Sequence, residues 1–181
     1  MRKLSMEELN RLSVEEFKSV EKSPLVVVLD NIRSLNNVGS AFRTSDAFLL
    51  EKIYLCGITG TPPHRDIQKT ALGATESVEW EHMPDTLEAI EFLKKNGYTI
   101  CGLEQVENSI QLNEFQPKAQ EKYALVFGNE VFGVDDKVLK ACDYILEIPQ
   151  LGTKHSLNIA VTMGISIWDF VVKLKCLSSK E

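Results

Sequence analysis

Three features of the sequence predict an α/β fold, a parallel sheet flanked by helices. Short apolar runs alternate with helical patterns from Pro24 onward. The runs are unbroken rather than alternating, as suits strands covered on both faces. The length of 181 residues fits one domain, and an apolar fraction of 44% is enough to fill its core, which excludes disorder for most of the chain.

Residues 1–23 read as a short helical extension, with the main domain spanning 24–181. Two capping boxes, Ser5 with Glu8 and Ser13 with Glu16, accompany Met6, Leu9, Leu12, Phe17 and Val20 at near-helical spacing, predicting two short helices. Arg2, Lys3, Arg11, Lys18 and Lys22 balance Glu7, Glu8, Glu15, Glu16 and Glu21, so this is no basic arm for gripping RNA. Strands are then predicted over 25–29, 52–56, 77–81, 98–103, 123–127 and 144–148, and helices over 37–49, 67–72, 85–96 and 134–141. Asp85 caps the third of these helices, and Gly97 stands where a C′ glycine belongs. The final segment, 156–175, is apolar around nearly its whole circumference. Such a helix must be buried, within the chain or against another subunit, and Ser156 is its natural N-cap.

Several chemistries lack their signatures. The net charge of -6 is not the overall footprint of a nucleic-acid binder, so positive charge must act locally. Local candidates are Arg33, Arg43, the 61–65 loop with His64 and Arg65, Lys69 and Lys154. Glu76, Glu79, Glu81, Asp85, Glu88 and Glu91 form an acidic face that should point away from RNA. Cysteines 56, 101, 142 and 176 are too widely spaced for a metal knuckle and read as free thiols of a cytoplasmic protein. His64, His82 and His155 form no HxxxH or HxH pattern, so no metal is expected. No GxSxG elbow, P-loop or GxGxxG is present, and no apolar run is long enough to span a membrane.

Three polar constellations remain. The first, 30–43, offers Asn36 or Asn37 as a helix cap, Gly39 for a close backbone approach and Arg43 two turns into the helix; taken alone, a capped helix with a surface arginine is the simpler account of it. The second, 125–134, is a strand ending in a glycine turn, where α/β sheets bind ligands beyond their carboxyl ends. Glu130 there could also be an ordinary carboxylate at a helix start. The third, 148–158, is a polar loop before the apolar helix. Its Asn158 must find partners or face a site.

In their order and spacing the stretches Asn37-Val38-Gly39-Ser40-Ala41-Phe42-Arg43, Leu125 to Gly133, and Ile148-Pro149 continuing to Ser156-Leu157-Asn158 resemble the SpoU, or TrmH-like, branch of the SPOUT RNA ribose methyltransferases. The resemblance covers about residues 24 to 175. It implies a C-terminal deep trefoil knot, an exception to the rule against knotted chains. It also implies S-adenosylmethionine as cofactor, held at Leu103, Gly128, Ile148 and Leu157, a homodimer formed through the C-terminal helix, and transfer of a methyl group to a ribose 2′-hydroxyl of transfer or ribosomal RNA. Arg43 would be the central catalytic residue, Asn37 and Glu130 would position it, and Ser156 and Asn158 would shape the pocket. Two other readings stay open: a catalytically silent RNA-binding or ribosome-assembly protein of the same fold, and a nucleotide-dependent oxidoreductase.

Overall fold

The computed structural model describes residues 1–5 and 7–177. Met6, one of the apolar positions assigned to the N-terminal unit, and the end of the main domain at 178–181 lie outside the described residues. The strands are β1 (Ser23–Asp30), β2 (Leu50–Cys56), β3 (Trp80–Met83), β4 (Tyr98–Leu103), β5 (Ile110–Gln111), β6 (Lys122–Phe127) and β7 (Tyr144–Glu147). The helices are α1 (Val14–Ser19), α2 (Leu35–Ala47), α3 (Arg65–Ala71), α4 (Ala74–Ser77), α5 (Thr86–Lys95), α6 (Asp136–Ala141) and α7 (Ile159–Lys173).

All seven strands join one sheet in the order β3-β2-β1-β6-β4-β7-β5, and every pairing is parallel. In β1, Leu25, Val27 and Leu29 point into one core, with α2, α3 and α7; Val26 and Val28 point into a second, with α5 and α6. Both faces are covered, which is why the strand sequences show no polar alternation. The two ends of the helix stack are locked differently. Gly39 lets α2 and α3 meet: a Cβ there would lie 2.1 Å from Thr70 Oγ1 and 2.2 Å from the Ile67 carbonyl oxygen. Aromatic packing closes the other end, where Phe170 of α7 meets Phe115 and Tyr123 with ring centroids 5.7 and 5.4 Å apart.

Both N-terminal capping boxes form, and Phe17 of α1 enters the main core rather than sitting on a detached unit. The first of the two helices is only a 3-10 turn, Glu7–Leu9. The strand expected over 77–81 is shifted: Ser77 closes the short helix α4, its hydroxyl donating to Asp46 and to the Ala74 carbonyl, and pairing starts at Trp80. β5 has no sequence signature, because a strand of two residues has no period to read. Within the described residues no helix is long and apolar enough to cross a membrane. The four cysteines are free, and burial pushes the Cys56 thiol up to about 12 and Cys142 up to about 11.

Candidate active site

Parallel strands end together, so the loops after β1, β4, β6 and β7 gather at one edge of the sheet. A buried carboxylate organises them from below. Asp30, 1% exposed at the end of β1, accepts from Thr86 Oγ1 at 2.6 Å, Asn31 Nδ2 at 2.8 Å and the Asp135 N–H at 3.1 Å. It thereby ties the loop after β1 to the start of α6.

Above it, α2 and the turn after β6 meet through Glu130. Its Oε2 accepts the Arg33 N–H at 2.9 Å, and its Oε1 accepts the Ser34 N–H at 3.0 Å and Asn37 Nδ2 at 2.9 Å. The carboxylate thus sits on the open N–H groups at the entry to α2, where the helix dipole also favours negative charge. Burial works to raise the pKa of Glu130, but the donors from Arg33, Asn37 and Ser34 outweigh it and hold the group below the usual carboxylate value. The expectation that Glu130 sits at the start of its own helix is therefore corrected. Asp135 caps α6, while Glu130 serves α2.

The cap of α2 is likewise Ser34, whose Oγ accepts the Asn37 N–H at 3.3 Å, and not Asn36 or Asn37. Asn37 is instead 8% exposed with its amide spent on Glu130. The turn itself is tightly wound. Asn129 and Gly133 exchange both backbone hydrogen bonds at 2.9 Å, and Asn129 Oδ1 accepts from the N–H groups of Val131 at 2.9 Å and Phe132 at 3.2 Å. Gly128 is required there, since a Cβ would lie 2.1 Å from the Val134 nitrogen.

A cleft of about 680 Å³ opens between this turn, the end of β4 and the segment from β7 into α7. Its lining includes Leu103, Gly128, Ile148 and Leu157, which are the four residues expected to hold the cofactor, together with Glu130, Ser156 and Asn158. The volume is in the range of small-molecule sites. Asn37 touches the cleft only through Glu130. Arg43 is exposed on α2 and makes no hydrogen bond or ion pair with any described residue. Asn158, not Ser156, caps α7: its Oδ1 accepts the Ala160 N–H at 2.8 Å, and the helix starts at Ile159. A cap needs its side chain two residues ahead of an open N–H, a condition that Ser156 misses once the helix starts late.

Sequence reading missed Glu104. Its carboxylate crosses the cleft floor, accepting the Gln105 N–H and the Val134 N–H, both at 2.9 Å, and so holds the glycine turn against β4. A lone acidic residue after a strand carries no signal of such a role. Asn129 was more accessible, because an asparagine opening a turn commonly bonds the backbone two residues on. The described residues contain no group of three His, Cys, Asp or Glu side chains able to hold a metal ion.

The architecture is that of an α/β protein with a ligand cleft beyond the carboxyl ends of parallel strands. Residues 24–168 match the SpoU rRNA Methylase family, and the chain belongs to it. A tRNA/rRNA methyltransferase named for the TrmH family from Staphylococcus saprophyticus is 28% identical over 92% of this chain and 66% of its own length. The tRNA (guanosine(18)-2′-O)-methyltransferase of Thermus thermophilus is 28% identical over 90% of this chain and 81% of its own. The solved rRNA methyltransferase from Sinorhizobium meliloti, a structure with AdoMet bound, superposes with a TM-score of 0.79 at 23% identity, covering 90% of this chain and 61% of that one. That likeness establishes the fold. The chain spans just under two-thirds of the staphylococcal relative and of the Sinorhizobium chain.

Proposed function

We propose that this protein is an S-adenosylmethionine-dependent methyltransferase acting on a ribose 2′-hydroxyl of a structured RNA, transfer or ribosomal. One observation carries the reading: Glu130 of the second motif and Ser156 and Asn158 of the third line one cleft, and Glu130 ties the helix of the first motif, which bears Arg43, to its rim. The names of the Thermus and staphylococcal relatives support it.

The cleft fits the cofactor in size, and its lining includes Leu103, Gly128, Ile148 and Leu157, the positions to which the resemblance assigns the cofactor. When bound, S-adenosylmethionine supplies an electrophilic methyl group. The chain has to orient the alcohol and accommodate the charge it develops. A guanidinium stays protonated and is a donor only, so Arg43 grips the phosphate beside the target ribose and stabilises the forming alkoxide. Its lack of a protein partner leaves its donors available for that purpose. Asn37 and Glu130 fix the helix carrying Arg43, and Ser156 and Asn158 shape the pocket wall.

The reading includes three structural features. A C-terminal knot is supported by the insertion of β7 between β4 and β5 and by the tether from Lys173 Nζ on α7 to the Leu112 carbonyl at 2.6 Å. A homodimer is supported by Val161, Ile165, Trp168 and Val172, which are exposed at helical spacing along one stripe of α7. Pairing there would gather two sets of Arg33, Arg43, Arg65, Lys69 and Lys154. Residues 1–23 form an extension to a methyltransferase domain at 24–181. The protein works in the cytoplasm on its RNA.

The test is methyl transfer from labelled S-adenosylmethionine to total RNA from cells lacking the gene. Label appearing at ribose 2′-oxygens is expected. RNA binding without any transfer would favour the silent RNA-binding alternative, and stabilisation by NAD instead of S-adenosylhomocysteine the oxidoreductase.

A further inference from the structure

At the mouth of the cleft, whose lining includes both, the turn after β6 projects the apolar side chains of Val131 and Phe132 toward solvent. Phe132 is 85% exposed and Val131 63%, although the backbone that carries them is fixed by Asn129 Oδ1 and by the paired bonds between Asn129 and Gly133. Among the described residues no aromatic ring or cation pairs with the Phe132 ring. The residue next to Phe132 on one side is Val131 and beyond it Glu130, whose carboxylate holds the Arg33 N–H; the Arg33 side chain is exposed and bonds no described residue. An aromatic side chain on a fixed backbone therefore lines one rim of the cleft, and an arginine with an uncommitted side chain is joined to that rim through its own N–H on Glu130.

We propose that Phe132 is a stacking platform for a nucleobase of the RNA substrate, next to the nucleotide whose ribose is methylated, and that Arg33 contacts the adjoining phosphate. The proposal rests on the RNA-methylation reading and adds residues that this reading does not assign. Single-stranded RNA is recognised by stacking unstacked bases on aromatic side chains, with arginine on the backbone. A protein partner suits the turn less well. Two apolar residues between Glu130 and Gly133 offer a far smaller patch than protein interfaces need, whereas the stripe on α7 offers four in line. A fixed backbone also suits stacking, because only the two side-chain torsions of Phe132 remain to be ordered on binding.

The experiment compares wild type, Phe132→Ala, Phe132→Trp and Arg33→Ala for binding to bulk small RNA from cells lacking the gene, for S-adenosylmethionine affinity by calorimetry, and for oligomeric state. Phe132→Ala is expected to weaken RNA binding roughly 5- to 150-fold, the loss of one stacked base, with cofactor affinity and oligomeric state as in wild type. Phe132→Trp should retain binding and give indole fluorescence that RNA quenches. Arg33→Ala should lower the salt dependence of RNA binding by about one phosphate contact. Wild-type RNA affinity in Phe132→Ala overturns the proposal, as does a loss of cofactor affinity or of dimer in its place. If wild type itself neither binds nor methylates RNA, the functional reading fails together with this one; RNA methylation by wild type with unchanged binding in Phe132→Ala removes this inference alone.

Discussion

The two rims of the cleft are built in opposite ways. On one side, the entry to α2 and the turn at 128–134 satisfy one another: Glu130 collects three donors, Asn129 two, and the turn closes on itself. On the other side, residues 151–158 are all exposed, and among the described residues no hydrogen bond involves 149–157. One rim is preorganised by the protein. The other has backbone groups to spare, which under the proposed function a bound cofactor would partner. On that reading the first rim would orient the chemistry and the second would capture the methyl donor.

Substitutions can break this contrast, and the largest effect is expected at Arg43, which rides on the preorganised side. Arg43→Ala should lower methyl transfer on the order of 10²- to 10³-fold, the usual loss for a donor that stabilises developing charge. Its melting temperature and S-adenosylmethionine affinity should stay close to wild type, because the side chain is exposed and makes no hydrogen bond or ion pair with any described residue. Phe42 next to it is fully buried, and Phe42→Ala should instead cost about 3–5 kcal/mol of stability, read by denaturant unfolding. Adjacent residues thus separate chemistry from folding.

Glu130→Ala removes the carboxylate that joins the two motifs. A drop in Tm of about 2–4 °C is expected, equivalent to about 1 kcal/mol for a chain of this size and small because the group is partly solvated. The pH dependence has a defined sign. The folded-state pKa of Glu130 lies below its ordinary value of 4.5, so its contribution is complete above that value and is lost as pH falls through the folded pKa. The Tm difference between wild type and Glu130→Ala should therefore shrink in acid. A difference that grows in acid would contradict the arrangement.

Pairing through α7 predicts that Ile165→Glu, placed in the exposed stripe, gives a monomer in analytical ultracentrifugation. The smallest effect concerns exchange rates alone. Amides at 150–157 should exchange quickly in the free protein and slow when S-adenosylmethionine binds, while those of Val131, Phe132 and Gly133 should be slow in both states. Equal protection of both rims in the free protein would remove the contrast.

The same contrast sets how much could be read beforehand. The sheet was legible because β1, β2, β4 and β6 are buried on both faces, and a doubly buried strand leaves an unbroken apolar run. The stretch over 77–81 misled for the same reason: Val78 is 2% exposed at a helix end, and burial alone does not distinguish strand from helix there. In the candidate site, Asn37, Glu130 and the cleft residues were found through the order of three motifs. Their partners were not, since Glu130 meets Arg33 and Ser34 across nearly one hundred residues of chain, and no local pattern records a contact made only by the parallel sheet. Asn158 shows the reverse. The expectation that an amide at the start of an apolar helix must find a partner was met by the Ala160 N–H, which displaced Ser156 as the cap.

The most direct test of the central claim is to locate the methyl group. Bulk transfer and ribosomal RNA from cells lacking the gene is incubated with methyl-labelled S-adenosylmethionine and the protein, then hydrolysed with alkali. Label in alkali-resistant dinucleotides, which only a blocked 2′-oxygen produces, and on the order of 10²- to 10³-fold less with Arg43→Ala, is the predicted result. Label on the bases, or ribose labelling that Arg43→Ala leaves intact, would contradict it.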